Sequence, residues 1–190
     1  LTQFSAGIER SLGIERSLRI RWQLVPEFSN QIDVQHQRDR VIARPSSSRE
    51  RDILSNELAS EFSYRPLQDV ELGFRVEVGR SEDRFPTDHT VADLNAESVR
   101  FLYSFRGKGQ ARVEFAREEV SLSGSAANMR TTRLPFELTD GRSLGKTWLW
   151  RTSLDYRVGN FIQVTVAYEG RSERGRPTLH SARSEVRAFF

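Results

Sequence analysis

The chain has 190 residues, 37% hydrophobic and 29% charged, and its 29 basic and 26 acidic side chains leave a formal charge of +3. No run approaches the roughly 20 apolar residues of a membrane-spanning helix, so helical insertion is excluded, and so small and dispersed a basic excess leads us to expect no nucleic-acid partner. Cysteine is absent, which excludes disulfide staples, Cys-ligated zinc and thiol nucleophiles.

In chain order, the first feature is a perfect duplication, GIERSL at 7–12 and again at 13–18. A six-residue step preserves strand parity, so two neighbouring half-strands are one arrangement it allows, and the unit is too short for a solenoid. Ile20, Trp22 and Leu24 then begin a period-2 alternation, which sorts side chains onto the two faces of an extended strand. Over residues 48–62 two signals compete. Ser47 and Glu50 form a capping-box pattern ahead of Ile53, Leu54, Leu58 and Phe62, whereas the shared parity of Leu58, Phe62 and Tyr64 favours a strand. The strand is preferred.

From 69 to 79 the alternation is nearly perfect, with Val70, Leu72, Phe74, Val76 and Val78 set against Asp69, Glu71, Gly73, Arg75, Glu77 and Gly79. It returns in Val99, Phe101, Tyr103 and Phe105, in Ala111, Val113 and Phe115, in Trp148, Trp150, Leu154 and Tyr156, and in Ile162, Val164, Val166 and Tyr168. Nine strands are expected between Ser17 and Phe190, with room for a tenth before them. Short connections at 26–30, 65–68, 107–109 and 158–160 carry the Gly, Pro or Asn of tight turns. They alternate with long polar stretches at 39–52, 80–97, 121–145 and 170–177.

An all-β antiparallel up-and-down meander of about nine or ten strands, apolar on one parity, with short turns at one end and long loops at the other, resembles the bacterial outer-membrane β-barrel family. The likeness runs over nearly the whole chain, either as one domain of residues 1–190 or as the C-terminal portion of a larger barrel. The chain opens at Leu1 without a leader pattern and is expected to be a mature chain or a fragment. A strand-built wall spans lipid because its backbone groups are satisfied between strands and closure leaves no edge in hydrocarbon. The resemblance implies an outer-membrane location, contact with outer-membrane lipid, short turns on the periplasmic side, and a partner protein or further strands of the same barrel.

It also assigns faces. Aromatic side chains would form two interfacial belts, with Tyr64, Phe105, Tyr156 and Phe190 near the short-turn ends and Trp148, Trp150 and Tyr168 near the other. The stretch between Trp148 and Tyr156 covers about 20 Å of height on a tilted strand. Val186, Ala188 and Phe190, in parity with Ala182 and Ser184, look like the terminal signal read by barrel-insertion machinery during assembly. The opposite parity would face the lumen with Glu71, Arg75, Glu77, Arg100, Arg112, Glu114, Arg151, Asp155, Arg183, Glu185 and Arg187, a mixed-sign set able to pair across strands.

Function is expected to be that of a structural element or conduit with long surface loops. The alternative is a soluble up-and-down barrel that turns its apolar face inward around a small ligand. No HExxH, GxSxG or phosphate-loop pattern occurs, and His180 and Ser181, as strand neighbours, project to opposite faces. The chain is therefore expected not to be an enzyme, and no cofactor is expected. Asp83, Asp88, His89 and Asp93 gather in one long stretch, but their spacing fits no cation loop, and a solvated acidic loop is expected there instead.

Overall fold

The computed structural model describes residues 8–44, 51–84, 90–124 and 136–189. Within them the alternation becomes nine strands, β1 (Ile8–Val25), β2 (Phe28–Arg44), β3 (Arg51–Leu67), β4 (Val70–Asp83), β5 (Thr90–Ser104), β6 (Gly109–Gly124), β7 (Gly145–Val158), β8 (Ile162–Glu173) and β9 (Leu179–Ala188). One short helix, α1 (Phe136–Thr139), stands between β6 and β7. Each strand pairs antiparallel with its neighbours in sequence, so the sheet is a meander in the order β1 to β9. β1 and β9 are its edges and are not bonded to each other; the sheet is open.

From residue 51 onward the stretch where a helix competed belongs to β3, and Ser47 and Glu50 lie outside the described residues. Leu58, Phe62 and Tyr64 lie opposite Val78, Phe74 and Leu72 of β4, and this cross-strand packing outweighs a local capping pattern. From residue 8 onward the duplicated hexapeptides form the single strand β1 rather than two half-strands. Their six-residue step leaves Arg10 and Arg16, and likewise Leu12 and Leu18, on the same face.

The four short connections are hairpin turns at 26–27, 68–69, 106–108 and 159–161. Gly109 closes one of them at φ 146, and a Cβ there would strike the backbone carbonyl of Asp155, so only glycine fits. The long polar stretches are shorter as loops than their composition implies. β2 runs to Arg44, β4 to Asp83 and β6 to Gly124, while β5 begins at Thr90. Opposite charges hold these ladders together where apolar contrast fades: Arg38 donates two bonds to Asp52, at 2.8 and 2.7 Å, and Arg51 donates one to Asp39 at 2.8 Å.

Burial is inverted relative to a water-soluble sheet. Phe115 is 47% exposed and Leu18 58%, whereas Glu77 is only 7% exposed. The apolar face carries a band beside the short turns, whose upper limit is Leu18, Val34, Leu58 and Val78 on β1 to β4, then Val99 and Phe115 on β5 and β6. Beyond it charged residues enter the same face, with Arg117 bonded to Glu119 at 2.8 Å and Lys146 3.8 Å from Glu119.

A glycine completes this face between β7 and β8. Trp150 lies flat across Gly170, whose missing side chain makes room for the indole, and the ring continues to His180 at 5.9 Å between centroids. An aromatic ring over a strand glycine shields the backbone that the glycine leaves bare. Gly170→Val is expected to displace the indole and to cost about 1–3 kcal/mol from overpacking. Denaturant unfolding followed by tryptophan fluorescence measures both effects.

Candidate functional site

The face opposite the apolar band holds the candidate site. Register places Glu71, Arg75 and Glu77 of β4, Arg100 of β5, Arg112 and Glu114 of β6, Arg151 and Asp155 of β7, and Arg183, Glu185 and Arg187 of β9 on this one face. Several are brought together. Arg100 reaches Glu61 at 2.8 Å and Glu71 at 3.3 Å, Arg75 reaches Glu77 at 3.0 Å, and Arg151 reaches Glu169 at 2.9 Å. Glu185 takes a bond from Arg187 at 2.6 Å, and Asp155 accepts one from Thr165 at 2.8 Å. Arg112, Glu114 and Arg183 form no ion pair among the described residues.

The segment carrying α1 folds onto this charged face. Leu138, 2% exposed, packs with Ile53 of β3 and Ala92 of β5, and Leu122 borders the cluster. The helix ends in a left-handed pair, Asp140 at φ 52 and Gly141 at φ 71, a turn that brings Arg142 back toward the sheet. Its guanidinium donates to Glu77 at 2.7 Å, and Glu77 also accepts from Arg75, so one carboxylate holds two cations. Cavities of about 600 and 310 Å³ flank the docked segment, and Arg142 lines both. The larger is walled by residues from β4 to β9, among them Arg75, Glu118, Arg151 and Ser181, so the sheet curls around its charged face.

Sequence reasoning named Glu77 and missed Arg142, which lies in a stretch without periodicity. The visible signal was Asp140–Gly141, a dipeptide suited to positive φ, which marks a chain reversal but not its target.

The residues expected in aromatic belts lie on the apolar face. Tyr64, Trp148, Trp150, Tyr156 and Tyr168 project there, and Phe105 meets Tyr103 and Tyr156 edge to face at 4.9 and 5.6 Å. Val186 and Ala188 share that face opposite Val164 and Ile162, and Phe190 lies outside the described residues. His180 stacks on Tyr168 and bonds its hydroxyl at 2.8 Å on the apolar side, while Ser181 pairs with Glu169 on the charged side. The four-residue acidic grouping does not hold together. Asp83 pairs with Thr90 on the charged face and Asp93 with Arg80 on the other, and Asp88 and His89 lie outside the described residues.

The structure is similar to the outer-membrane expressed OmpT of Vibrio cholerae, with a TM-score of 0.60 and 10% identity over 84% of this chain and 46% of that one. No family model matches the chain, and no curated protein matches it in sequence. The chain spans less than half the length of OmpT, and the likeness is one of fold: an antiparallel β-barrel wall of the outer-membrane type. This likeness overturns the expectation that the chain is not an enzyme. That expectation rested on missing sequence motifs, whereas a barrel fold shared at 10% identity is a scaffold on which sites are placed independently of the fold and of such motifs.

Proposed function

We propose that this chain forms part of the wall of a larger outer-membrane β-barrel that acts as a conduit, narrowed from within by the docked segment 136–144. The observation that carries the reading is the Arg142–Glu77 pair with Leu138 seated beside it: a loop segment is fixed against the charged, concave face and separates two cavities. An exposed apolar band on the convex face suits contact with lipid, and mixed charges on the inner face suit a water-filled path without strong ion preference.

The open edges support completion by further strands, because an unpaired edge is costly in hydrocarbon. The odd strand count limits how that completion occurs. β1 and β9 run in the same direction, so antiparallel closure needs an odd number of additional strands, the first and last opposed to both edges. In assembly, Val186 and Ala188 of β9 would be presented to the insertion machinery on the lipid side.

The soluble-carrier alternative requires the apolar face to enclose the cavity, and here the charged face does so. The test is conductance of the intact protein in planar bilayers. Arg142→Ala is expected to release the docked segment and raise single-channel conductance, whereas Arg106→Ala at a short turn leaves it unchanged. Equal conductance in both variants, with normal insertion, would reject the constriction.

A further inference from the structure

The duplicated hexapeptide has an outcome in the fold that the conduit reading does not use. It sets Arg10 and Arg16 on the convex face of β1, with Leu12 and Ile14 between them on the same face and Leu18 starting the apolar band below. β2 adds His36, Arg38 and Arg40, paired in register with Arg16, Ile14 and Leu12. Among the described residues, Asp52 is the one acidic group on this face of β1, β2 and β3 beyond the band, and Arg38 occupies it with two bonds. Arg40 lies 3.9 Å from the same carboxylate, and neither Arg10 nor Arg16 has an ion pair among the described residues.

The same height on neighbouring strands is different. Arg80 faces Asp93, and Arg117 is held by Glu97 and Glu119, so charges there are matched. Among the described residues, the excess of cations on this face lies on β1 and β2. It is interleaved with aliphatic side chains, Leu12 at 54% and Ile14 at 39% exposed, which a purely aqueous surface gives no reason to keep there.

We propose that this cation-aliphatic checkerboard binds the phosphate groups of an anionic lipid on the long-loop side of the membrane. Arginine suits the task because its planar donors match phosphate oxygens in pairs. The intervening Leu12 and Ile14 lie against the first carbons of the acyl chains. Charge complementarity and position select a lipid as the occupant, since the patch continues directly into the apolar band. The inference rests on the barrel reading.

The experiment uses the intact protein and three probes: lipid A as a phosphorylated glycolipid, phosphatidylcholine, and inorganic pyrophosphate. Lipid binding is titrated by native mass spectrometry for the unmodified protein, for Arg10→Gln with Arg16→Gln and Arg40→Gln, and for Arg106→Gln at the opposite end. The triple variant is expected to lose about tenfold or more in lipid A affinity, since each basic group near a membrane surface attracts anionic lipid. Arg106→Gln is expected to match the unmodified protein, with phosphatidylcholine bound more weakly throughout. Unchanged lipid A affinity in the triple variant would overturn the site, as would displacement of lipid A by equimolar pyrophosphate, which would identify a free-phosphate site. Failure of the unmodified protein to insert into phosphatidylcholine vesicles, read by heat-dependent gel migration, is a separate result that overturns the barrel reading itself.

Discussion

Val76→Arg and Val164→Arg are each expected to cost about 2–4 kcal/mol of stability in a bilayer, the range for a cation placed on the lipid face of a barrel near its midplane. Val76 stands in register between Ser60 and Glu97, two positions from Phe74 and Val78, and Val164 stands opposite Val186. Val164 stands between Tyr156 and Val186, so an introduced guanidinium there enters the band without compensation, whereas Val76→Arg faces Glu97 and is expected at the lower end of the range. Gln35→Arg on the charged face is the control. It lies across from Glu57, and its amide already reaches Glu15 at 3.3 Å, so a cation there is expected to stay within about 1 kcal/mol of the unmodified protein. Guanidinium unfolding in vesicles measures all three. Neutral results at both valines, in a folded and inserted protein, would place water on that face.

The Arg142–Glu77 pair is expected to show a different signature, because it holds a segment to the wall rather than holding the wall together. Glu77→Leu leaves Arg142 without its carboxylate in a site where the Arg142 side chain is 21% exposed, and Arg142 Nη1 already lacks a partner among the described residues. The expected cost is about 2–3 kcal/mol, that of stranding one member of a largely buried charged pair. Since Leu138, Arg142 and Ser143, which donates to Glu173 and accepts from Arg171, tie the segment to the wall one by one, the loss of one tie is expected to appear as local opening. Amides of 136–144 should exchange faster while those of β4 and β5 keep their protection. Glu77→Gln with Arg142→Gln removes both charges and is expected to recover most of the loss. Loss of protection across β4 as well would show that the pair supports the sheet itself.

How much of this was legible in the sequence follows from what alternation encodes. A period of two assigns each side chain to a face without knowledge of its neighbours. Val70 to Val78 therefore fell on one side and Glu71, Arg75 and Glu77 on the other; three of the four short turns followed from their own Gly, Pro or Asn residues, and the fourth, at Gln68–Asp69, falls just after the Pro66 that marked it. The same parity gave the two hexapeptide copies, from Ile8 onward, one set of facing residues, but that they form one continuous strand and not two half-strands was decided by pairing with β2. The extent of the ladders was not legible. In 39–44 and 90–97 both faces mix apolar and polar residues, so periodicity carries little contrast, and cross-strand ion pairs settle what composition leaves blank.

The site was only half visible for a related reason. Alternation named Glu77 but not Arg142, because a residue in an aperiodic loop has no face until the chain folds back, and its partner stands 65 residues away. Which face is concave, and that a loop segment docks on it, depends on how nine strands curl together and on the buried contact of Leu138 with Ile53 and Ala92. The sequence by itself determined the two faces of every strand, since that follows from local backbone geometry. The tertiary structure alone decided what stands against the charged face, since that contact joins elements far apart in the chain.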